Sequence, residues 1–287
     1  MKKYELRNLW IAAFVSAGIL LGACGNKVET SPSAVSASSA GNGATGKSSA
    51  GAITATPTSR DYVIVGVDAH SAPMAFWDTQ TKVVTGYDID LAKEAFKRAG
   101  LKYEFQAIDW NKKEDNLLKD KSIDVIWSSL TINDERKKIF AFSTPYIQNK
   151  QGIMVRADSP IQNKSDLKGK IVAVQKGSNG AELVRQLRGE TAPAKVDDYE
   201  QKVDQFSAVL NGKADAAVTD SMMLDYFAAS SNGKFRVLKD SLQEEELGVA
   251  VRPFDTELLA KINKALADMQ ADGTAQAIYQ RWFNSGQ

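Results

Sequence analysis

The chain has 287 residues, 43% hydrophobic and 25% charged, an ordinary globular composition with enough length for one large or two small domains. Its formal net charge is +1, and residues 1–23 supply Lys2, Lys3 and Arg7 against Glu5, so the remainder carries about +1 − 2 = −1. A near-neutral body excludes an electrostatic case for nucleic acid, and a single cysteine excludes an internal disulfide or a cysteine-based metal site.

Residues 1–23 have the layout of a secretory signal peptide: basic residues, an apolar run from Leu9 to Leu21, then small residues. The run is shorter than the about 20 residues of a comfortable membrane span. Leu21-Gly22-Ala23-Cys24 resembles a bacterial lipobox, which predicts that Cys24 is lipidated, with palmitate among its acyl chains, and becomes the mature N-terminus. That places the protein outside the cytoplasm, held to a membrane by its lipid. Gly25 to Arg60 is a Ser/Ala/Gly/Thr tract that cannot bury a core, and it reads as a disordered tether of about 30–36 Å end to end. Its Gly41–Ser48 matches a phosphate-loop pattern. Without a strand before it or a helix after it, the match is compositional.

The folded body starts near Asp61. Tyr62 to Val67 is a β-rich run ending at Asp68. Gly86-Tyr87-Asp88-Ile89-Asp90 opens a helix whose Leu91, Ala95, Phe96 and Ala99 share one face, and Gly100 stops it. Tyr103 to Ile108 is a strand, Trp110 follows, a helix carries Leu117 and Leu118, and Ile123 to Trp127 is the next strand. A second set begins after Pro145-Tyr146, with strands at Gly152–Val155 and Lys170–Val174. The loop Gln175–Gly180 then enters a helix, with Asn179 and Glu182 at capping-box spacing. Val203, Phe206, Val209 and Leu210 form a helical stripe, Ala214–Val218 is a strand ending on Thr219-Asp220, and Phe235–Leu238 is another. Leu247–Val251 is a late strand, and helices holding Ile262, Leu266, Met269, Ile278 and Trp282 close the chain. Strands alternating with helices predict an α/β fold.

The segment Ile126–Arg136 carries the clearest chemistry. An apolar strand ends in Ser128, Ser129 and Thr131, an Asn133-Asp134 pair starts a helix, and Arg136 follows. Backbone N–H groups, hydroxyls and a guanidinium fork suit capture of a carboxylate. The same residues also suit a strand, a polar turn and a capped helix start. Ser178-Asn179 at the next glycine-bearing loop is a second anion-binding geometry or ordinary capping, and the residues alone leave both pairs of readings open. One histidine, His70, and no nucleophile elbow or metal set leave no candidate catalytic residue, cofactor or metal site.

The body resembles the bacterial extracellular solute-binding proteins, family 3, of polar amino-acid ABC importers. The markers stand in order: Ala72–Phe76, Gly86–Asp90, Trp110, Ile123-Asp124, Thr131–Arg136, Phe142–Tyr146, Asp166–Lys170, Gly177-Ser178, Ala214–Ala216, Asp220, Asp272–Thr274 and Arg281–Phe283. Each is weak alone; their shared order and spacing is specific. The resemblance implies a two-lobed periplasmic-binding-protein-like (type II) α/β fold with hinge strands and an interlobe ligand cleft. Lobe 1 is expected over 61–148 and 246–287, and lobe 2 over 149–245.

By the same resemblance, Arg136 grips a ligand α-carboxylate, while Thr131 and Asn179 lend it backbone N–H groups. Ser129 and the Thr131 hydroxyl receive the ligand ammonium, and Asp220 pairs with it. Trp110 lies over the ligand side chain, Asp68 and Asp88 face cationic side chains in some members, and Ser128 and Ser178 line the turns. Ser71, small where many members carry an aromatic, and Gln175 depart from the family pattern and leave the side-chain class open. The expected role is a monomeric, non-catalytic receptor that delivers a polar amino acid to permease and ATPase subunits. The alternatives are an enzyme of the same fold, similar to the cyclohexadienyl and arogenate dehydratases, and a permease-independent sensor or adhesin.

Overall fold

The computed structural model describes residues 62–283; the signal-like segment, Cys24, the tether and its phosphate-loop look-alike lie outside the described residues. In chain order the first elements are β1 (Val63–Val67), the short strands β2 (His70–Ser71), β3 (Ala75–Trp77) and β4 (Val84–Thr85), α1 (Tyr87–Ala99), β5 (Tyr103–Ala107), α2 (Lys113–Leu118), β6 (Val125–Thr131), α3 (Asp134–Lys137) and β7 (Ala141–Phe142). Then come β8 (Ile147–Arg156), β9 (Ile171–Gln175), α4 (Asn179–Gln186), β10 (Lys195–Tyr199), α5 (Lys202–Leu210), β11 (Ala216–Asp220), α6 (Ser221–Ser230), β12 (Phe235–Val251), α7 (Thr256–Ala271) and α8 (Thr274–Phe283).

One sheet runs β10-β9-β11-β8-β12-β6-β1-β5, with β7 beside β12. Its flanks are parallel, β1 with β5 and β6, and β9 with β10 and β11. Its middle is antiparallel. β8 and β12 pair from Ile147↔Leu247 to Phe235↔Arg156, β12 continues against β6, and β8 against β11. These two long strands therefore belong to both lobes and act as the hinge strands between them. The sequence predicted Phe235–Leu238 and Leu247–Val251 as separate strands; they are the two ends of β12, because the polar stretch between them pairs with β8.

Both faces of the inner strands are covered, so β1, β6, β9 and β11 are buried along nearly their whole length. In β6, Val125 and Trp127 join one core with Val65, Ile89, Phe96 and Met269, while Ile126 and Leu130 face another with Ile64 and Ile123. The second lobe divides the same way, Ile153, Val172 and Val218 on one side and Met154, Ala173 and Ala217 on the other. A buried ion pair stitches the first lobe. Arg252 Nη2 meets Asp124 Oδ1 at 2.9 Å, and the other Asp124 oxygen accepts the Ile64 N–H at 3.0 Å. No helix among the described residues is long and apolar enough to cross a membrane.

The glycines at the two ends of α1 have different reasons for being there. Gly100 closes the helix in the left-handed region, φ 66°, and a Cβ there meets nothing within 4 Å. Gly86 precedes the helix at φ 139°, and its Cβ would lie 2.2 Å from the Met74 carbonyl oxygen. Gly86→Ala should therefore cost roughly 2–4 kcal/mol through strain and backbone displacement. Gly100→Ala should cost about 1 kcal/mol. Thermal melts of the two variants check this; equal melting temperatures would contradict it.

Candidate functional site

The site is built on a kink in β6. Leu130 lies opposite Gly248 and Ile126 opposite Ala250, so three residues of β6, Trp127 to Ser129, face the single Val249 of β12. Ser129 takes up the slack at φ 48°, an unfavourable backbone for a serine. Two neighbours hold the bulge. Ser143 exchanges hydrogen bonds with Val249, Oγ accepting its N–H at 2.9 Å and the Ser143 N–H donating to its carbonyl at 2.8 Å. Asp88, in the first turn of α1, accepts the Ser129 N–H at 2.8 Å and its hydroxyl at 3.3 Å. Burial drives the Asp88 carboxyl from 3.8 up to about 7.

Beyond the kink, Asn133 caps α3 by accepting the Arg136 N–H at 2.9 Å. This turn points the Arg136 guanidinium back along the strand end, where Nη1 donates to the Thr131 carbonyl at 3.2 Å and Nη2 reaches Glu182 of α4 at 3.4 Å. Across the cleft, Ser178 caps α4 through its hydroxyl, which accepts the Ala181 N–H at 3.1 Å. The expected capping role of Asn179 is thus corrected. Asn179 is the first helical residue, and its amide instead bridges Glu245 at 2.8 Å and Asn133 at 3.3 Å. The first two N–H groups of this helix, those of Asn179 and Gly180, lack partners within it and stay available beside this loop.

Asp220 ends β11 as a buried carboxylate that accepts from Asn149 at 3.1 Å, Gln151 at 2.9 Å and Lys202 Nζ at 2.9 Å. Next to it, Glu245 of β12 accepts from Asn149 at 2.6 Å and Gln151 at 2.8 Å on one oxygen. Its other oxygen accepts from Thr131 at 3.0 Å and Asn179 at 2.8 Å. Burial, reinforced by the Asp220 charge, raises the Glu245 carboxyl from 4.5 to about 7. Glu245 thereby ties the hinge strand to both lobes.

These groups surround one small, partly open cavity of about 10 Å³. Of the residues the sequence singled out, Trp110, Ser129, Thr131 and Arg136 line it from one lobe and Ser178, Asn179 and Asp220 from the other. Asp68, Asp88 and Ser128 are not among its walls. Asp88 stands behind Ser129. Ser128 Oγ accepts the Asp68 N–H at 3.1 Å, and the Asp68 carboxylate accepts from Ser71 and Gln175, each at 2.7 Å. Three lining residues were not read from the sequence: Gln151, Lys202 and Thr219. Thr219 adjoins Asp220, and Gln151 sits two residues from Asn149 on the same face of β8; Lys202 had no signal beyond its charge.

Further contacts clamp the lobes. Lys113 lies 5.1 Å from the centroid of the Trp110 ring and donates to the Gly177 carbonyl at 2.8 Å, across the cleft. Burial, and then the Arg136 charge, lower the Lys113 ammonium to about 8.

The matching family is the bacterial extracellular solute-binding proteins, family 3, over residues 63–285. The L-cystine-binding protein TcyJ of Escherichia coli (strain K12) is 31% identical over 79% of this chain and 84% of its own. The ABC transporter glutamine-binding protein GlnH of Bacillus subtilis (strain 168) is 29% identical over 97% and 98%. A solved structure of an ancestral arginine-binding protein bound to glutamine is 37% identical, covers 79% of this chain and 99% of its own, and superposes with a TM-score of 0.72. The chain belongs to this solute-binding family.

The two raised carboxyls fix a pH dependence. Native Glu245 and Asp88 hold protons up to about pH 7, whereas unfolded ones release them near 4.5 and 3.8. Between those values the folded state binds more protons, so stability falls as pH rises and levels off above pH 7. The melting temperature should therefore rise from pH 8 to pH 5.5, and Glu245→Gln should flatten that slope. A slope identical in wild type and variant would contradict the assignment.

Proposed function

We propose that this protein is the extracytoplasmic receptor of an ABC importer and captures a polar α-amino acid between its lobes for delivery to membrane permease and ATPase subunits. One observation carries the reading: Arg136 and Asp220, of opposite charge and from different lobes, both line one small cavity. An α-amino acid has the matching pair of charges on one carbon. Arg136 would take the carboxylate in a bidentate pair, supported by the N–H groups of Thr131 and Asn179. Asp220 would take the ammonium, with the Ser129 carbonyl and the Thr131 hydroxyl beside it. Trp110 would cover the ligand side chain. A ligand that bridges the lobes favours the closed form because its full set of contacts exists only there.

Asp88 and Ser128 enter this reading as supports, Asp88 by holding the Ser129 kink and Ser128 by holding the Asp68 backbone. The residues around the cavity bind and neutralise charge, which favours a receptor over an enzyme of the same fold. The lipobox supports membrane attachment through acylated Cys24, with lobe boundaries near 148 and 245 where the hinge strands cross. Intact-mass analysis of membrane-extracted protein tests the attachment; an unmodified Cys24 would contradict it.

Calorimetry of the lipid-free body against the twenty amino acids and cystine tests the central assignment. One or more should bind. Removing one partner of a desolvated charge pair costs on the order of 3–5 kcal/mol. Arg136→Ala and Asp220→Asn should therefore each weaken binding several hundredfold or more while melting stays cooperative. Undiminished affinity in either variant would refute that residue's role, and turnover of prephenate or arogenate beyond one equivalent would refute the receptor reading.

A further inference from the structure

Recognition of an amino-acid backbone has no use for one charge in this cavity. Lys202 is the first residue of α5, is 4% exposed, and its Nζ donates to Asp220 Oδ2 at 2.9 Å. It stands there against two local preferences. A cation in the first turn of a helix meets the positive end of the helix dipole. A buried ion pair does not by itself recover the hydration its two charges lose. Asn149 and Gln151 already donate to Asp220 Oδ1, so Asp220 would not be without partners if Lys202 were absent.

Among the described residues Lys202 Nζ has no hydrogen-bond partner besides Asp220, so two of the three N–H groups of its ammonium are uncommitted at the cavity wall. Burial works against its charge, but the carboxylates of Asp220, Asp68 and Glu245 outweigh burial and raise its pKa above the ordinary lysine value. The group is a cation with donors to give. Asp68, the carboxylate that could have received a cationic side chain, is already bound by Ser71 and Gln175. Gln151, which also lines the cavity, commits its own amide nitrogen to Asp220 and Glu245. Lys202 is therefore the principal uncommitted donor for a ligand side chain.

Resting on the reading of the cavity as an amino-acid site, we propose that Lys202 sets the ligand's side-chain class, selecting α-amino acids whose side chain ends in an oxygen acceptor, carboxamide or carboxylate, and rejecting cationic ones. The acceptor takes the uncommitted N–H groups, while a guanidinium or ammonium in the same place meets a like charge in a desolvated cavity.

The test is calorimetry of the lipid-free body with glutamine, asparagine, glutamate, aspartate, arginine, lysine and leucine, for wild type and Lys202→Met. In wild type at least one of the first four should bind at least about tenfold more tightly than arginine, lysine or leucine. Lys202→Met should reduce that preference at least about tenfold. Should the variant fail to fold, the wild-type preference alone decides. Arginine, lysine or leucine binding as tightly as the best of the four, or a preference unchanged in the variant, would overturn this inference and leave the amino-acid reading standing. Absence of binding by every amino acid would overturn both.

Discussion

Buried charge is the constraint on which the structure depends. Arg136 and Asp220 are each 4% exposed, and burying such charges without partners costs several kcal/mol. The fold supplies those partners from both lobes and from the strands between them. Arg136 is held by the Thr131 carbonyl and Glu182, and Asp220 by Asn149, Gln151 and Lys202. Asn149 and Gln151 lie on the strand that both lobes share, and both also donate to Glu245 on the companion strand. The polar centre of the cleft and the mechanical centre of the fold are therefore the same group of residues. A change in how the lobes meet must rearrange it.

Backbone geometry at the other wall is set just as indirectly. The cavity presents Ser129 and Thr131 because β6 bulges, and it bulges because Val249 bonds to Ser143 while Asp88 holds the left-handed Ser129. Neither Ser143 nor Asp88 lines the cavity. Both belong to short motifs that mark the family resemblance, Phe142–Tyr146 and Gly86–Asp90, which gives those motifs a physical reason. They shape a strand end.

Much of this was legible in the sequence because it rests on local pattern. α1 with its Gly100 stop, β5, β9 and the run into Asp220 follow from periodicity and breakers and lie within a residue or two of the prediction. Most of the proposed charge clamp was legible through motif order. The rest depends on pairing between distant segments, which leaves little local trace. The continuous β12 looks broken in sequence because its middle is polar, and only its register with β8 reveals it. Glu245 reads as part of a solvated acidic run, Glu244 to Glu246, until the sheet turns it inward. Lys202 reads as a surface lysine at a helix start until β11 brings Asp220 beside it. Asp68 and Asp88 look like ligand groups by residue type, and only the fold shows that Asp68 Oδ2 already serves Ser71 and Gln175, and Asp88 Oδ2 serves Ser129.

A crystal structure of the lipid-free body with its tightest-binding amino acid tests the account most directly. The ligand should lie in the cavity between the lobes, its α-carboxylate within hydrogen-bond distance of the Arg136 guanidinium and its ammonium within the same reach of the Asp220 carboxylate. A ligand bound elsewhere, or one in this cavity whose backbone charges meet neither residue, would contradict it.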